Sequence, residues 1–106
     1  MTQERVGAVF AALADPTRRQ VVESLFGGAT VTASRLATEL PITRQAVAKH
    51  LALLDHAGLV TGERRGRETH YRLTPEPLGE AASWMAAIGA EWDDGLEALR
   101  GHLARR

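Results

Sequence analysis

The sequence has no cysteine, which excludes a disulfide framework, a thiolate zinc site and a cysteine nucleophile. It has no apolar run approaching the roughly 20 residues needed to cross a bilayer. Met1-Thr2-Gln3-Glu4-Arg5 is not a basic stretch leading into an apolar one, so no export is expected and a cytoplasmic location is. No excess of either charge exists: 13 Lys and Arg balance 13 Asp and Glu, so the chain is not a polycation. What remains is a chain of 106 residues, 44% hydrophobic and 25% charged, the composition of one folded domain. A domain of this size buries roughly 60–70% of its unfolded surface, enough to fold with little to spare.

The charge is balanced overall but not along the chain. Residues 35 to 72 carry seven basic side chains against four acidic ones, a net +3, whereas residues 76 to 97 carry six acidic and no basic ones. Such a division lets one part face a polyanion while another is held away from it. Two solvated surfaces of opposite sign are the plainer alternative.

Apolar spacing organises the chain. Val6, Val9, Phe10 and Leu13 form one stripe on a helix from about Gln3 to Ala14. Asp15 suits an N-cap and Pro16 a first helical position, opening a second helix to about Phe26 with Val21, Val22, Leu25 and Phe26 inward; Gly27-Gly28 stops it. Thr30-Val31 is short and β-prone. Thr32 caps a short helix, Ala33 to Glu39, burying Leu36, Ala37 and Leu40, and Pro41 ends it. Thr43 caps a longer helix to about His56 with Ala46, Val47, Leu51 and Leu54 inward, and Ala57-Gly58 stops that one. Two β-prone runs, Leu59 to Arg64 and Glu68 to Leu73, flank Arg65-Gly66-Arg67 and predict a hairpin with a basic tip. Thr74-Pro75 opens a last helix to about Leu103, striped by Leu78, Ala81, Ala82, Met85, Ile88, Trp92, Leu96, Leu99 and Leu103.

The predicted fold is therefore mainly α with a small β-hairpin wing, in the order α-α-α-α-β-β-α: a winged helix-turn-helix in a single domain, 1–106. Residues 32–58 form the helix-turn-helix and 59–73 the wing. The second helix of such a pair fits the major groove of DNA. Its outward residues are Thr43, Arg44, Gln45, Ala48 and Lys49. Arg44 suits two bonds to guanine, Gln45 suits adenine, and Thr43 and Lys49 suit phosphates or base edges. Arg64, Arg65 and Arg67 of the wing suit the backbone or a neighbouring minor groove.

Two stretches carry a resemblance: Ala12-Leu13-Ala14-Asp15-Pro16-Thr17-Arg18-Arg19, and the run from Arg44-Gln45-Ala46-Val47-Ala48-Lys49-His50-Leu51 to Gly58-Leu59-Val60. Together they resemble the ArsR family of bacterial winged-helix repressors over roughly Val6 to Leu73. The resemblance implies a homodimer built from the first and last helices (residues 1–14 and 75–103), bound to an inverted-repeat DNA operator and repressing transcription in the nucleoid. It gives Arg18 and Arg19 a role in supporting the fold or touching phosphate. It gives His50 a role in packing or at phosphate.

The sequence departs from the metal-sensing members of that family. Where those place a thiolate pair, this chain has Ser34, Arg35, Leu36, Ala37 and Thr38. Its last helix offers Glu91, Asp93, Asp94, Glu97 and His102 without the family's alternation of acid and histidine. No metal site and no cofactor is expected; a small-molecule effector of unknown identity is left open. No nucleophile elbow, glycine-rich phosphate loop or HExxH pattern occurs, so no enzymatic activity is expected.

The last helix, about 28 residues or roughly 40 Å, is too long to pack once against so small a domain. Pairing it with the first helices of two subunits would bury Val6, Phe10, Met85, Ile88, Trp92, Leu96 and Leu99, with Trp92 as anchor and Trp84 near the junction with the winged domain. A dimer also sets two recognition helices about 34 Å apart, the spacing of successive major-groove faces. The sequence thus predicts a DNA-binding regulator that partners double-stranded DNA and itself, with no membrane partner. Two alternatives stay open: a winged-helix module that binds protein in place of DNA, and a dimerisation domain detached from an enzyme, against which the basic wing argues.

Overall fold

Three short polar side chains start three of the helices. Asp15, Thr32 and Thr43 adopt extended backbone geometry and accept hydrogen bonds from the backbone N–H groups of Arg18 (2.9 Å), Arg35 (3.1 Å) and Ala46 (3.1 Å). Each satisfies a donor that the first turn of a helix leaves free. In the computed structural model, which describes Thr2 to Arg105, these caps open α2 (Pro16–Ser24), α3 (Ala33–Glu39) and α4 (Arg44–His56). α1 (Thr2–Ala12) precedes them, and β1 (Val60–Arg65), β2 (Glu68–Leu73) and α5 (Glu76–Ala104) follow. The order is the one expected. Met1 and Arg106, the ends of the expected 1–106 domain, lie outside the described residues.

Helix ends differ from the periodicity in two places. α1 stops at Ala12, and the carbonyls it leaves free are taken by two arginines of α2. Arg18 Nε donates to Ala12 O (2.6 Å), and Arg19 Nη1 to Leu13 O (2.6 Å) and Ala14 O (3.3 Å). α2 stops at Ser24, earlier than expected. Leu25 still reaches the core, but Phe26 is 60% exposed and not inward. The chain has left helical geometry by then and turns through Gly27 (φ +98°) and Gly28 (φ +82°), so helical spacing no longer carries Phe26 to the inner face.

One apolar cluster joins the elements. Val9 of α1, Val21 of α2, Leu25, Leu36 of α3, Val47, Leu51 and Leu54 of α4, and Leu59 are fully buried together, with Val60 of β1 and Ala81 of α5 beside them. The two strands pair antiparallel from Val60↔Leu73 to Arg65↔Glu68. That register moves the hairpin by one residue from the sequence reading: Arg65 belongs to β1, and only Gly66-Arg67 form the turn. Gly66 takes a φ of +63° while no non-glycine among the described residues has a positive φ, which fits a type II′ turn with glycine first. At its base the wing is pinned by Val31, which exchanges two backbone hydrogen bonds with Tyr71 (3.0 and 2.8 Å).

α5 begins at Pro75 without a side-chain cap; the hydroxyl of Thr74 instead pairs with that of Thr61 at 2.6 Å. Its first turns pack on the domain through buried Pro77 and Ala81. Against α1, the ring of Trp84 meets Phe10 edge-on (centroids 5.7 Å apart, 67° between planes) and Arg5 pairs with Glu80 at 2.6 Å. The remainder projects. With 29 residues α5 is about 44 Å long, and the molecule extends 70 × 29 × 22 Å. Its radius of gyration of 18.7 Å exceeds the about 13 Å of a compact chain of this length. No helix of the described residues is long and apolar enough to cross a membrane.

The cap at α2 has a pH signature. The N–H of Arg18 holds the Asp15 carboxyl below its ordinary 3.8, with the charge of Arg18 adding to the effect. A depressed carboxyl stabilises the fold above the unfolded-state value and loses that contribution as pH falls through the folded-state one. Asp15→Ala is therefore expected to lower the melting temperature at neutral pH. The gap from the unaltered chain should close as melts are repeated at pH values falling below 3.8.

Candidate nucleic-acid interface

With Val47, Leu51 and Leu54 turned into the core, helical geometry leaves the first turns of α4 facing solvent. Thr43, Arg44, Gln45, Ala48 and Lys49 are all exposed there, as expected. Arg64, Arg65 and Arg67 are exposed on the wing. Arg64 Nε donates to Gly66 O (2.9 Å), an interaction that braces the turn from within. Arg65 Nε donates to Glu63 Oε1 (3.1 Å), so part of its charge is met on its own strand.

The wing and α4 are not separate surfaces. Between the start of α3, the start of α4 and the hairpin lies a cleft of about 130 Å³ whose walls include Ser34, Arg44, Ala48, Arg64, Arg67 and Tyr71. Three arginines thus line one polar hollow, with Glu68 among its other walls. Arg65 is on the opposite side of the strand, as alternation requires, and is not one of its walls. Sequence reasoning assembled Arg44, Arg64 and Arg67 without placing them in a common hollow, and it missed Ser34 as their neighbour. Arg44 Nε donates to Ser34 Oγ at 2.9 Å across the helix-turn-helix.

His50 stands apart from the other expected contact residues. It is half-buried on the flank of α4, with Nδ1 enclosed and without a hydrogen-bond partner among the described residues. The resemblance offered this position a role in packing or at phosphate. Arg18 and Arg19 hold the end of α1, the fold-supporting alternative for that pair.

The expected assembly residues divide as well. Met85, Ile88, Trp92, Leu96 and Leu99 are exposed along α5, Trp92 to 67%, and Phe10 is exposed on α1. Val6 is buried in the core of its own chain and forms only the floor of a hollow of about 270 Å³ shared with Gly7, Phe10 and Trp84. Among the described residues, no three histidine, aspartate or glutamate side chains gather as a metal site would require.

A helix-turn-helix domain family matches residues 13–63. The transcriptional repressor SdpR of Bacillus subtilis (strain 168) is 34% identical over 88 residues, covering 83% of this chain and 97% of SdpR. The structure of an ArsR-like transcriptional regulator from Rhodococcus sp. RHA1 superposes with a TM-score of 0.80 at 45% identity, over 93% of this chain and 92% of that one. The chain belongs to the ArsR family. As an ArsR-family protein it is a winged helix-turn-helix transcriptional regulator and not an enzyme. A third relative is the homodimeric winged helix-turn-helix DNA-binding domain of a possible ArsR-family regulator from Mycobacterium bovis, 27% identical over 90% of this chain and 84% of that one, with a TM-score of 0.64.

In this ArsR-family wing, Gly62 lets the strands close. A Cβ there would lie 2.9 Å from Thr69 Cγ2 and 3.0 Å from the ring of Tyr71, nearer than carbon atoms settle. Gly62→Val is expected to push the Tyr71 ring aside and loosen the hairpin. Hydrogen exchange would show it as faster exchange at β1 and β2 amides with α4 unchanged; unchanged wing protection would contradict it.

Proposed function

We propose that the chain acts as a homodimeric repressor on an inverted-repeat DNA operator, with α1 and α5 as the assembly helices, α4 as the reading element and the wing as a second contact. The carrying observation is the apolar stripe of α5, bare from Met85 to Leu103 in a single chain. An exposed row of this kind marks an interaction surface, and the homodimeric relative supports a second copy as its occupant. Phe10 and Trp84 continue the stripe onto the domain, and Trp92 is its anchor. The role of each side chain at DNA follows from its chemistry. Arg44 and Gln45 suit base edges, whereas Thr43, Lys49, Arg64, Arg65 and Arg67 suit phosphates or a minor groove. Ala48 leaves room for close approach. The reading is one without metal control, supported by the absence of cysteine and of the family's acid–histidine alternation. Work inside the cell on chromosomal DNA follows from this role.

Trp92→Ala is expected to shift the sedimenting species toward monomer; an undisturbed dimer removes Trp92 from the interface. Binding to the chain's own upstream DNA tests the reading as a whole. With six phosphates neutralised, affinity is expected to fall about a thousandfold as salt rises from about 50 to 200 mM. Binding that ignores salt, or no binding, favours a protein-interaction module.

A further inference from the structure

Among the described residues, the bond between Arg44 and Ser34 is the side-chain hydrogen bond that joins α3 to α4. Arg44 is the first residue of α4, and Ser34 is in the first turn of α3, ten residues earlier. Both are exposed, so neither is held by burial. A guanidinium group is planar and carries five N–H donors in a fixed fork. Once Nε is committed to the Ser34 hydroxyl, the plane of that fork is set and the two terminal nitrogens stay free. They are the pair suited to an end-on, two-point contact with O6 and N7 of guanine.

The acceptor is also neutral. Arg65 is paired with Glu63 and Arg35 with Glu39, whereas Arg44 has no ion-pair partner among the described residues. A hydroxyl therefore fixes its direction without neutralising its charge. Arg64, Arg67 and Glu68 line the same cleft, so charges of both signs surround Arg44 and would draw an untethered guanidinium into several rotamers. Holding one rotamer before binding lowers the entropy lost on contact.

We infer that Ser34 is a positioning residue for base selection: it presents the Arg44 fork to one base pair in each half-site and does not itself touch DNA. This rests on the reading of α4 as the recognition helix. The experiment selects preferred duplexes from a randomised pool with the full-length chain. Affinities of the unaltered chain, Ser34→Ala, Ser34→Thr and Arg44→Ala are then measured on the preferred duplex and on each single-base-pair change.

Arg44→Ala is expected to erase preference at one position. Ser34→Ala should reduce that same preference about two- to tenfold, the share of one solvent-exposed hydrogen bond. Affinity for unrelated duplexes, the salt slope and the melting temperature should stay unchanged, and Ser34→Thr, which keeps the hydroxyl, should restore the preference. Full preference in Ser34→Ala, or an equal loss on every duplex, overturns the positioning role while leaving α4 as the reader. Undiminished preference in Arg44→Ala, or a pool from which nothing is selected, overturns the reading beneath it.

Discussion

The burial of Val47, Leu51 and Leu54 is the constraint on which the rest of the molecule depends. These residues fix the roll of α4 about its own axis. One residue of a helix is about 100° of rotation, so a slip of one position would bring Ala48 toward the core and carry the basic face away from solvent. The same cluster contains Leu59 and Val60, where the chain enters the hairpin. α4 and the wing are thus set on one foundation, which is why Arg44, Arg64 and Arg67 reach a common cleft although at least 20 residues separate the first from the others.

α5 follows the opposite logic. Its burial ends after the first turns, at Ala81, while its apolar spacing continues to Leu103. A helix carrying Gly79, Gly89, Gly95 and Gly101 is weak in isolation, yet it runs on well past the part that packs on the domain. The acidic stretch 76–97 falls on this helix and the basic stretch on the head. A polyanion approaching the molecule meets an attractive end and a repulsive one, an arrangement that orients encounter as well as strengthening it.

Most of the architecture was legible because its determinants are local. Asp15, Thr32 and Thr43 cap the turns that begin beside them, and Gly27-Gly28 and Gly58 turn the chain away after α2 and α4. The errors came where local rules compete. Helical spacing places Phe26 inward, but Gly27 and Gly28 take the chain out of register before that spacing applies. At the wing, a glycine between two β-prone runs marks a turn without saying which neighbour remains paired. Alternation along β1 separates Arg65 from Arg64 and Arg67, although composition groups all three. The Ser34–Arg44 bond was invisible for a different reason. It depends on how α3 and α4 cross, and nothing in a serine ten residues from an arginine announces that crossing.

The corner between α1 and α2 has a mechanical consequence. Arg18 and Arg19 fasten the carbonyl end of α1 to the helix that packs directly behind α4. α1 is therefore not a loose strap but a bracket tied at its end to α2. Any displacement of α1 would be passed through that corner to α2 and on to the back of α4, as a lever carries motion across its fulcrum.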